Sequence, residues 1–378
     1  MRLLELFILL LFAGEIIYLV YENRRVLRNR AKLQHVVYVN GIRGKSSVTR
    51  LIDAGLRAGG KRCFCKTTGT LPMTINTQGV EQQILRRGPA NIREQLWVLQ
   101  RAAENSAEVL IAECMAVDPA LQKLSQQKMM RADIGVITNV RLDHTDEMGG
   151  TLSEICDSLC SMIPENGVVF TADAIFYSQI AKNAAQKGAK AILATAENLP
   201  AQAIDFDENV ALALAVCAHL GVPRPQALQG MGHYCKDPYA LSLHRLPGGA
   251  LFVGALSVND PQSSEQVWHQ MKERHELAQR RLVLLINNRR DRGYRTAHML
   301  LLAKRLKPDE VWLLGAAQKA FARKLQKVGP VPVRCFASAA ELDLAADENV
   351  VIFAAGNIAA EGHLLMARVR EEGDALVP

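Results

Sequence analysis

The segment Asn40-Gly41-Ile42-Arg43-Gly44-Lys45-Ser46-Ser47 gathers the residue types that hold phosphate. Gly41 and Gly44 let the backbone turn with its amides inward, Lys45 reaches the terminal phosphates of a nucleotide, and the Ser46 hydroxyl offers a ligand to Mg²⁺. The apolar run His35-Val36-Val37-Tyr38-Val39 precedes it and the amphipathic stretch SSVTRLIDAGLRAGG follows, so the pattern predicts strand, phosphate loop and helix. The helix N-terminus then adds partial positive charge at the loop. With only two residues between its glycines, this G-x-x-G-K-S loop is shorter than the common G-x-x-x-x-G-K-[ST] form.

Two further strand ends carry matching chemistry. Glu113 lies at the end of AEVLIAEC, and Asn139, Asp143, His144 and Asp146 follow ADIGVIT. A buried apolar strand that runs into a carboxylate places it at the carboxyl edge of a sheet, beside the phosphate loop, where a Mg²⁺ ligand belongs.

These residues need a scaffold that brings strand ends together, and the chain alternates accordingly. Strand-like HVVYVNG, AEVLIAEC, ADIGVITNV, GVVFTAD and KAILAT are separated by helical patterns such as PALQKLSQQKM, TLSEICDSLCSMI and SQIAKNAAQKGA. Continuous Val/Ile runs with helical crossovers predict a parallel sheet covered on both faces, so the fold class is α/β. A Pro/Gly-rich stretch between Gly221 and Pro247 breaks the series and places a boundary near residue 240. Beyond it ALFVGALSV, RLVLLINN, EVWLLG, VPVRCFA and NVVIFAAGN predict a second, smaller, Rossmann-like α/β domain.

At 378 residues and 49% hydrophobic, the chain has apolar surface for more than one core, which excludes disorder. Its eight cysteines show neither C-x-x-C nor a zinc spacing, as expected of a reducing compartment. Of the net charge of +7, Arg24, Arg25, Arg28, Arg30 and Lys32 supply five, so no broad basic surface remains for nucleic acid. The cluster follows Leu3–Val20, LLELFILLLFAGEIIYLV, in which thirteen of eighteen residues are Leu, Ile, Val or Phe. That length matches one membrane-spanning helix, and the positive-inside rule then keeps the remainder in the cytoplasm. Glu15 lies deep in the span, where an acidic residue faces a partner helix or a polar cavity.

The short loop, Glu113 and the Asn139-x-x-x-Asp143-His144-x-Asp146 cluster resemble the ATP-dependent Mur ligase superfamily. Lys66-Thr67-Thr68-Gly69-Thr70-Leu71-Pro72, Glu113-Cys114-Met115-Ala116-Val117, Asn259-Asp260-Pro261 and Gly356-Asn357-Ile358 resemble more narrowly the PgsB/CapB family of poly-γ-glutamate synthase ligase subunits. The resemblance covers nearly the whole chain. It implies a membrane helix over 1–22, a basic juxtamembrane segment over 23–34, an ATP-binding domain over 35–240 and a C-terminal α/β ligase domain over 241–378.

The implied reaction activates a glutamate γ-carboxylate as an acyl phosphate at the expense of ATP and joins it to a glutamate amine. Lys45, Glu113 and His144 would be catalytic, with Mg²⁺ on Ser46, Glu113 and His144. The nucleotide would meet Gly41, Arg43, Gly44, Lys45, Ser46 and Ser47, and also Asn259 and Asp260. Acidic substrate would meet Thr68, Thr70, Asp291, Arg292 and Arg295; arginine forks suit carboxylate and phosphate, although a solvated basic turn or a plain threonine turn accounts for the same residues.

Two departures stand out. No lysine occurs between Lys128 and Lys182, where many Mur-type ligases carry a carbamylated metal-bridging lysine, and Lys236 is the nearest counterpart to their central-domain arginine. The expected partners are glutamate or a polyglutamate chain, other membrane subunits of a synthesis and export complex, and further copies of the chain. Two other readings remain: a Mur-type ligase using another amino acid or a folate-like acceptor, and a membrane-tethered nucleotide-binding scaffold without ligase activity.

Overall fold

A computed structural model describes the chain except residues 1, 70, 87, 198, 200–203, 238, 259, 276, 289–294, 328 and 378, and the side chains of 2, 3, 295 and 377. The chain forms two compact units, Met1–Cys235 and Lys236–Pro378. In the first, the apolar runs become β1 (His35–Asn40), β2 (Cys63–Thr67), β3 (Met73–Ile75), β4 (Glu81–Gln83), β5 (Val109–Glu113), β6 (Ile134–Ile137), β7 (Val168–Thr171) and β8 (Lys190–Leu193). Their order across the sheet is β4-β3-β2-β5-β1-β6-β7-β8. β1 sits between β5 and β6, so the carboxyl ends of all three, and with them the phosphate loop and Glu113, share one edge.

Side-chain alternation builds two cores. Val36 and Tyr38 of β1 face helix Glu94–Glu104 through Val98, Leu99 and Ala102, whereas Val37 and Val39 face helix Lys45–Ala58 through Leu51 and Ile52. Two-sided burial explains why these strands read as unbroken apolar runs.

The second unit holds β9 (Ser242–Arg245), β10 (Leu251–Gly254), β11 (Arg281–Asn288), β12 (Glu310–Gly315), β13 (Val333–Cys335), β14 (Val350–Gly356) and β15 (Asp374–Val377), ordered β13-β12-β11-β14-β10-β9-β15. Both sheets are mixed rather than wholly parallel. β3 and β4 pair antiparallel at one edge of the first sheet, and β9 and β15 do so in the second. These edge strands are short and partly polar, so they lack the apolar run that reveals the others.

One helix, Arg2–Arg30, precedes the first sheet, and over Leu4–Arg30 it is long and apolar enough to cross a membrane. It continues unbroken through most of the basic segment. The reason is packing: Val26 is 5% exposed and Leu33 4%, both seated in the core that contains Val98 and Leu99. Arg30 Nη2 meets Asp133 Oδ1 at 3.0 Å, so this arginine serves the fold.

Candidate active site

β1 delivers the chain to a loop whose shape only glycine allows. Gly41 has φ +129°, and a Cβ there would lie 2.0 Å from Thr138 Oγ1 and 2.8 Å from its amide nitrogen. Gly44, φ +76°, precedes helix Lys45–Ala58, and a Cβ there would meet Asn209 Oδ1 at 2.7 Å. Because Gly44 has no side chain to cap the helix, its first amides stay directed at the loop. Asn139 clamps the turn: Oδ1 accepts from the Arg43 amide at 3.0 Å and Nδ2 donates to the Arg43 carbonyl at 3.1 Å. Lys45 Nζ folds back onto the Gly41 carbonyl at 2.7 Å and the Ile42 carbonyl at 3.4 Å. Burial pulls the pKa of this ammonium down while Glu113 opposes the shift. Gly41→Ala is expected to weaken nucleotide binding at least about tenfold, equivalent to about 1.4 kcal/mol, in titration calorimetry; unchanged affinity would show that the turn tolerates a Cβ.

Glu113, 3% exposed, meets the loop from the neighbouring strand. Its Oε2 accepts from Ser46 Oγ at 2.8 Å and from the Thr68 amide at 2.6 Å, which joins the tips of β5 and β2 to the first turn of the helix. The Glu113 carbonyl accepts from Gln95 Nε2 at 3.0 Å. A serine hydroxyl and a carboxylate are hard oxygen donors of the kind Mg²⁺ takes alongside water and phosphate oxygens, so this donor pair fits such an ion. Among the described residues, no group of three or more His, Cys, Asp and Glu side chains is placed to hold a metal by itself.

Lys66, in β2, is fully buried, with Nζ 3.0 Å from Glu94 Oε1. Arg86 grips the same carboxylate through Nε at 2.7 Å and Nη2 at 3.0 Å. Burial lowers the Lys66 pKa against the attraction of Glu94 and Glu113. For Glu94, burial raises the pKa, but Arg86 and Lys66 together outweigh it and hold the carboxyl below its usual range. A depressed folded-state value means the stabilisation is present above the unfolded carboxyl pKa of about 4.3 and is lost as pH falls through the folded value. Glu94→Gln is expected to cost about 3–5 kcal/mol at neutral pH by leaving Lys66 buried without its counter-charge, with the deficit shrinking in acid. Denaturant melts across pH test this; equal stability at pH 7 would contradict it.

The predicted residues fall into two groups around the loop. Ser46, Glu113 and Thr68 meet on one side, with Ser47 in the same helical turn as Ser46. In the other group, Arg43 Nη2 contacts Asp143 Oδ2 at 2.8 Å, and His144 Nε2 lies 3.9 Å from the same oxygen. His144 adopts φ +52°, an uncommon backbone for a residue with a side chain. In the second unit Asp260 caps helix Pro261–Arg274, accepting from the Ser263 amide at 2.8 Å. Thr70, Asn259, Asp291 and Arg292 lie outside the described residues, and Arg295 begins helix Arg295–Leu306 with its side chain outside them as well.

Two residues of this region, Lys66 and Asn209, carry little signal in the sequence. A lysine inside the strand pattern CFCKT was the available signal for the first. Asn209 follows Asp207 and Glu208 in the polar first turn of helix Asp207–His219, where one more polar residue carries no signal.

An α/β unit with a short phosphate loop met by a strand-terminal glutamate, followed by a second α/β unit, defines a Mur-type ligase. Residues 39–213 match the Mur ligase middle domain, and 243–372 match the poly-gamma-glutamate synthase CapB C-terminal domain. The chain is 30% identical over 374 residues to PGA synthase CapB of Bacillus subtilis (strain 168), covering 93% of this chain and 94% of that protein. It is 36% identical over 270 residues to capsule biosynthesis protein CapB of Bacillus anthracis, a match spanning 68% of this chain and 58% of that relative. Similar solved structures include E. coli FolC with ADP, at TM-score 0.69 and 18% identity over 95% of this chain and 97% of that one. The folylpolyglutamate/dihydrofolate synthase of Yersinia pestis with AMPPNP and Mn aligns at TM-score 0.68 and 18% identity, covering 94% and 97%. The chain belongs to the CapB family of poly-γ-glutamate synthases, ligases built on the Mur ligase fold.

Proposed function

We propose that this chain is the ATP-dependent amide ligase of a poly-γ-glutamate synthase, activating a glutamate γ-carboxylate as an acyl phosphate and joining it to a glutamate amine. The observation that carries the reading is the meeting of Ser46 and Glu113 beside Lys45, on a loop whose glycines leave room for nothing but backbone. ATP with Mg²⁺ supplies the phosphoryl group and neutralises its charge. Loop amides 41–46 hold the phosphates, Lys45 stabilises the charge that develops on the transferring group, and Ser46 and Glu113 hold the ion. His144, tied through Asp143 to Arg43, is the candidate donor from the second group.

Thr68 and Thr70 orient the acceptor in this reading, Asn259 and Asp260 approach the nucleotide, and Asp291, Arg292 and Arg295 receive acidic substrate. In this reading a membrane helix over 1–22 and a basic juxtamembrane segment over 23–34 lead into an ATP-binding domain over 35–240 and a ligase domain over 241–378, the last boundary lying five residues beyond the division between the two compact units. The apolar helix supports a single span with the ligase in the cytoplasm. Other membrane subunits are the expected partners, because one helix forms no pore for a polyanion.

Phosphate and ADP release that requires glutamate, with hydroxylamine trapping of the activated carboxylate, tests the assignment. Turnover with a folate-like acceptor in its place would move the chain to another ligase activity, and nucleotide binding without trapping would make it a scaffold.

A further inference from the structure

The path of the apolar helix, taken with the membrane placement proposed above, orients the sheet. Beyond Val20 the helix continues without a break to Arg30, and Val26 is buried in the first unit, so rigid packing sets the height of that unit above the bilayer. Arg93, the residue before helix Glu94–Glu104, donates to Tyr18 Oη at 2.9 Å and pairs with Glu22. Arg25 bonds Gln100, about two turns further along. The two helices therefore run side by side in the same direction. Gln95, at the start of the second, bonds the carbonyl of Glu113, which is the carboxyl end of β5. At the other end, Arg30 bonds Asp133 and the Arg131 carbonyl, just before β6 begins.

The apolar helix thus descends past the sheet from its carboxyl edge to its amino edge, and β1 carries the chain back. The lengths agree: twelve residues of helix from Tyr18 to Arg30 rise about 18 Å, and the six residues of β1 return about 20 Å. Tyr18 lies within two residues of the end of the apolar run, at the boundary between hydrocarbon and headgroups.

We infer that the carboxyl edge of the first sheet, with Gly41–Ser46, Glu113 and Thr68, is held against the cytoplasmic leaflet, and that the loop entering helix Glu94–Glu104 rests in its phospholipid headgroups. The surface there suits that occupant. Leu85 is 83% exposed beside an Arg86 that is tied to Glu94, and residues 88–91 are exposed. The Arg93 side chain keeps 51% of its surface accessible despite its pairing, enough to meet a lipid phosphate. Trp97, one turn on, is 39% exposed with the Arg101 guanidinium stacked 5.6 Å from its ring centre. An aromatic ring and arginines beside a span are the usual residents of this layer. Continuity with the span singles out lipid as the occupant, because the hydrogen bond to Tyr18 fixes the loop at headgroup depth. The reactive edge then opens where an acidic polymer must leave toward the membrane, and solvent reaches the amino edge.

The full chain, with exposed Cys235 and Cys335 changed to serine, is placed in nanodiscs containing anionic lipid and carries a fluorophore at Leu85→Cys or, on the amino edge, at exposed Lys190→Cys. Brominated lipids are expected to quench the first label by about half, since interfacial groups sit 5–10 Å into the headgroup and acyl boundary, and to leave the second unchanged. Disc-bound protein with an unquenched residue 85, whether covered by another protein or facing water, overturns the orientation and spares the anchor. Equal quenching at both sites does the same. Protein that never elutes with the discs overturns the membrane placement itself, and the orientation with it.

Discussion

Lys45→Ala is expected to lower glutamate-dependent phosphate release by about 10²–10³-fold, the loss typical of removing one preorganised charge-stabilising donor. In the fold, Nζ is held by two carbonyls of its own loop, so it reaches the phosphate position with little rearrangement. Burial pulls its pKa down, and the attraction of Glu113 offsets part of that shift. The alanine variant leaves the Gly41 and Ile42 carbonyls facing the space that nucleotide or water fills, so its melting temperature should move little. Phosphate release and a thermal melt on the same preparation separate chemistry from folding. Undiminished turnover with a folded protein would remove the loop from the reaction.

Glu113→Gln should be comparably severe and should respond to metal. The amide is nearly isosteric and can still accept from Ser46 or the Thr68 amide, but it cannot supply negative charge to a cation. Several kcal/mol of charge stabilisation are at stake, which converts to about 10²–10³-fold in rate. Turnover should recover partly at high Mg²⁺, whereas ADP binding in the presence of chelator should change by no more than a few-fold. A rate loss that no concentration of metal relieves, with metal-free nucleotide binding lost in parallel, would mean that Glu113 supports the loop instead of holding an ion. The two substitutions also differ in what they leave behind: removing Glu113 takes an attractive charge from both Lys45 and Lys66, so the two effects should not add.

Parts of this arrangement were legible because they are local. A phosphate loop is a few consecutive residues with a mandatory backbone shape, and Gly41 and Gly44 are the residues that allow it. Buried parallel strands must be apolar on both faces, so β1, β5, β6 and β7 announce themselves as runs. The same logic hides β3, β4, β9 and β15, whose short edge positions impose no such composition. Lys66 and Glu94 were opaque for a different reason: each reads as a surface charge until tertiary packing closes around the pair.

By itself the sequence determined the phosphate loop, the α/β alternation, the strand-terminal carboxylate and the apolar N-terminal segment, since hydrophobic periodicity and glycine stereochemistry act within a few residues of one another. Only the tertiary structure decided that Ser46 Oγ would touch Glu113, that Asn139 would clamp the loop, and that Tyr18 and Arg30 would meet opposite edges of one sheet. Those contacts join residues 67, 96, 75 and 103 positions apart in the chain. Strand order and helix direction alone set such distances, and no local preference encodes either.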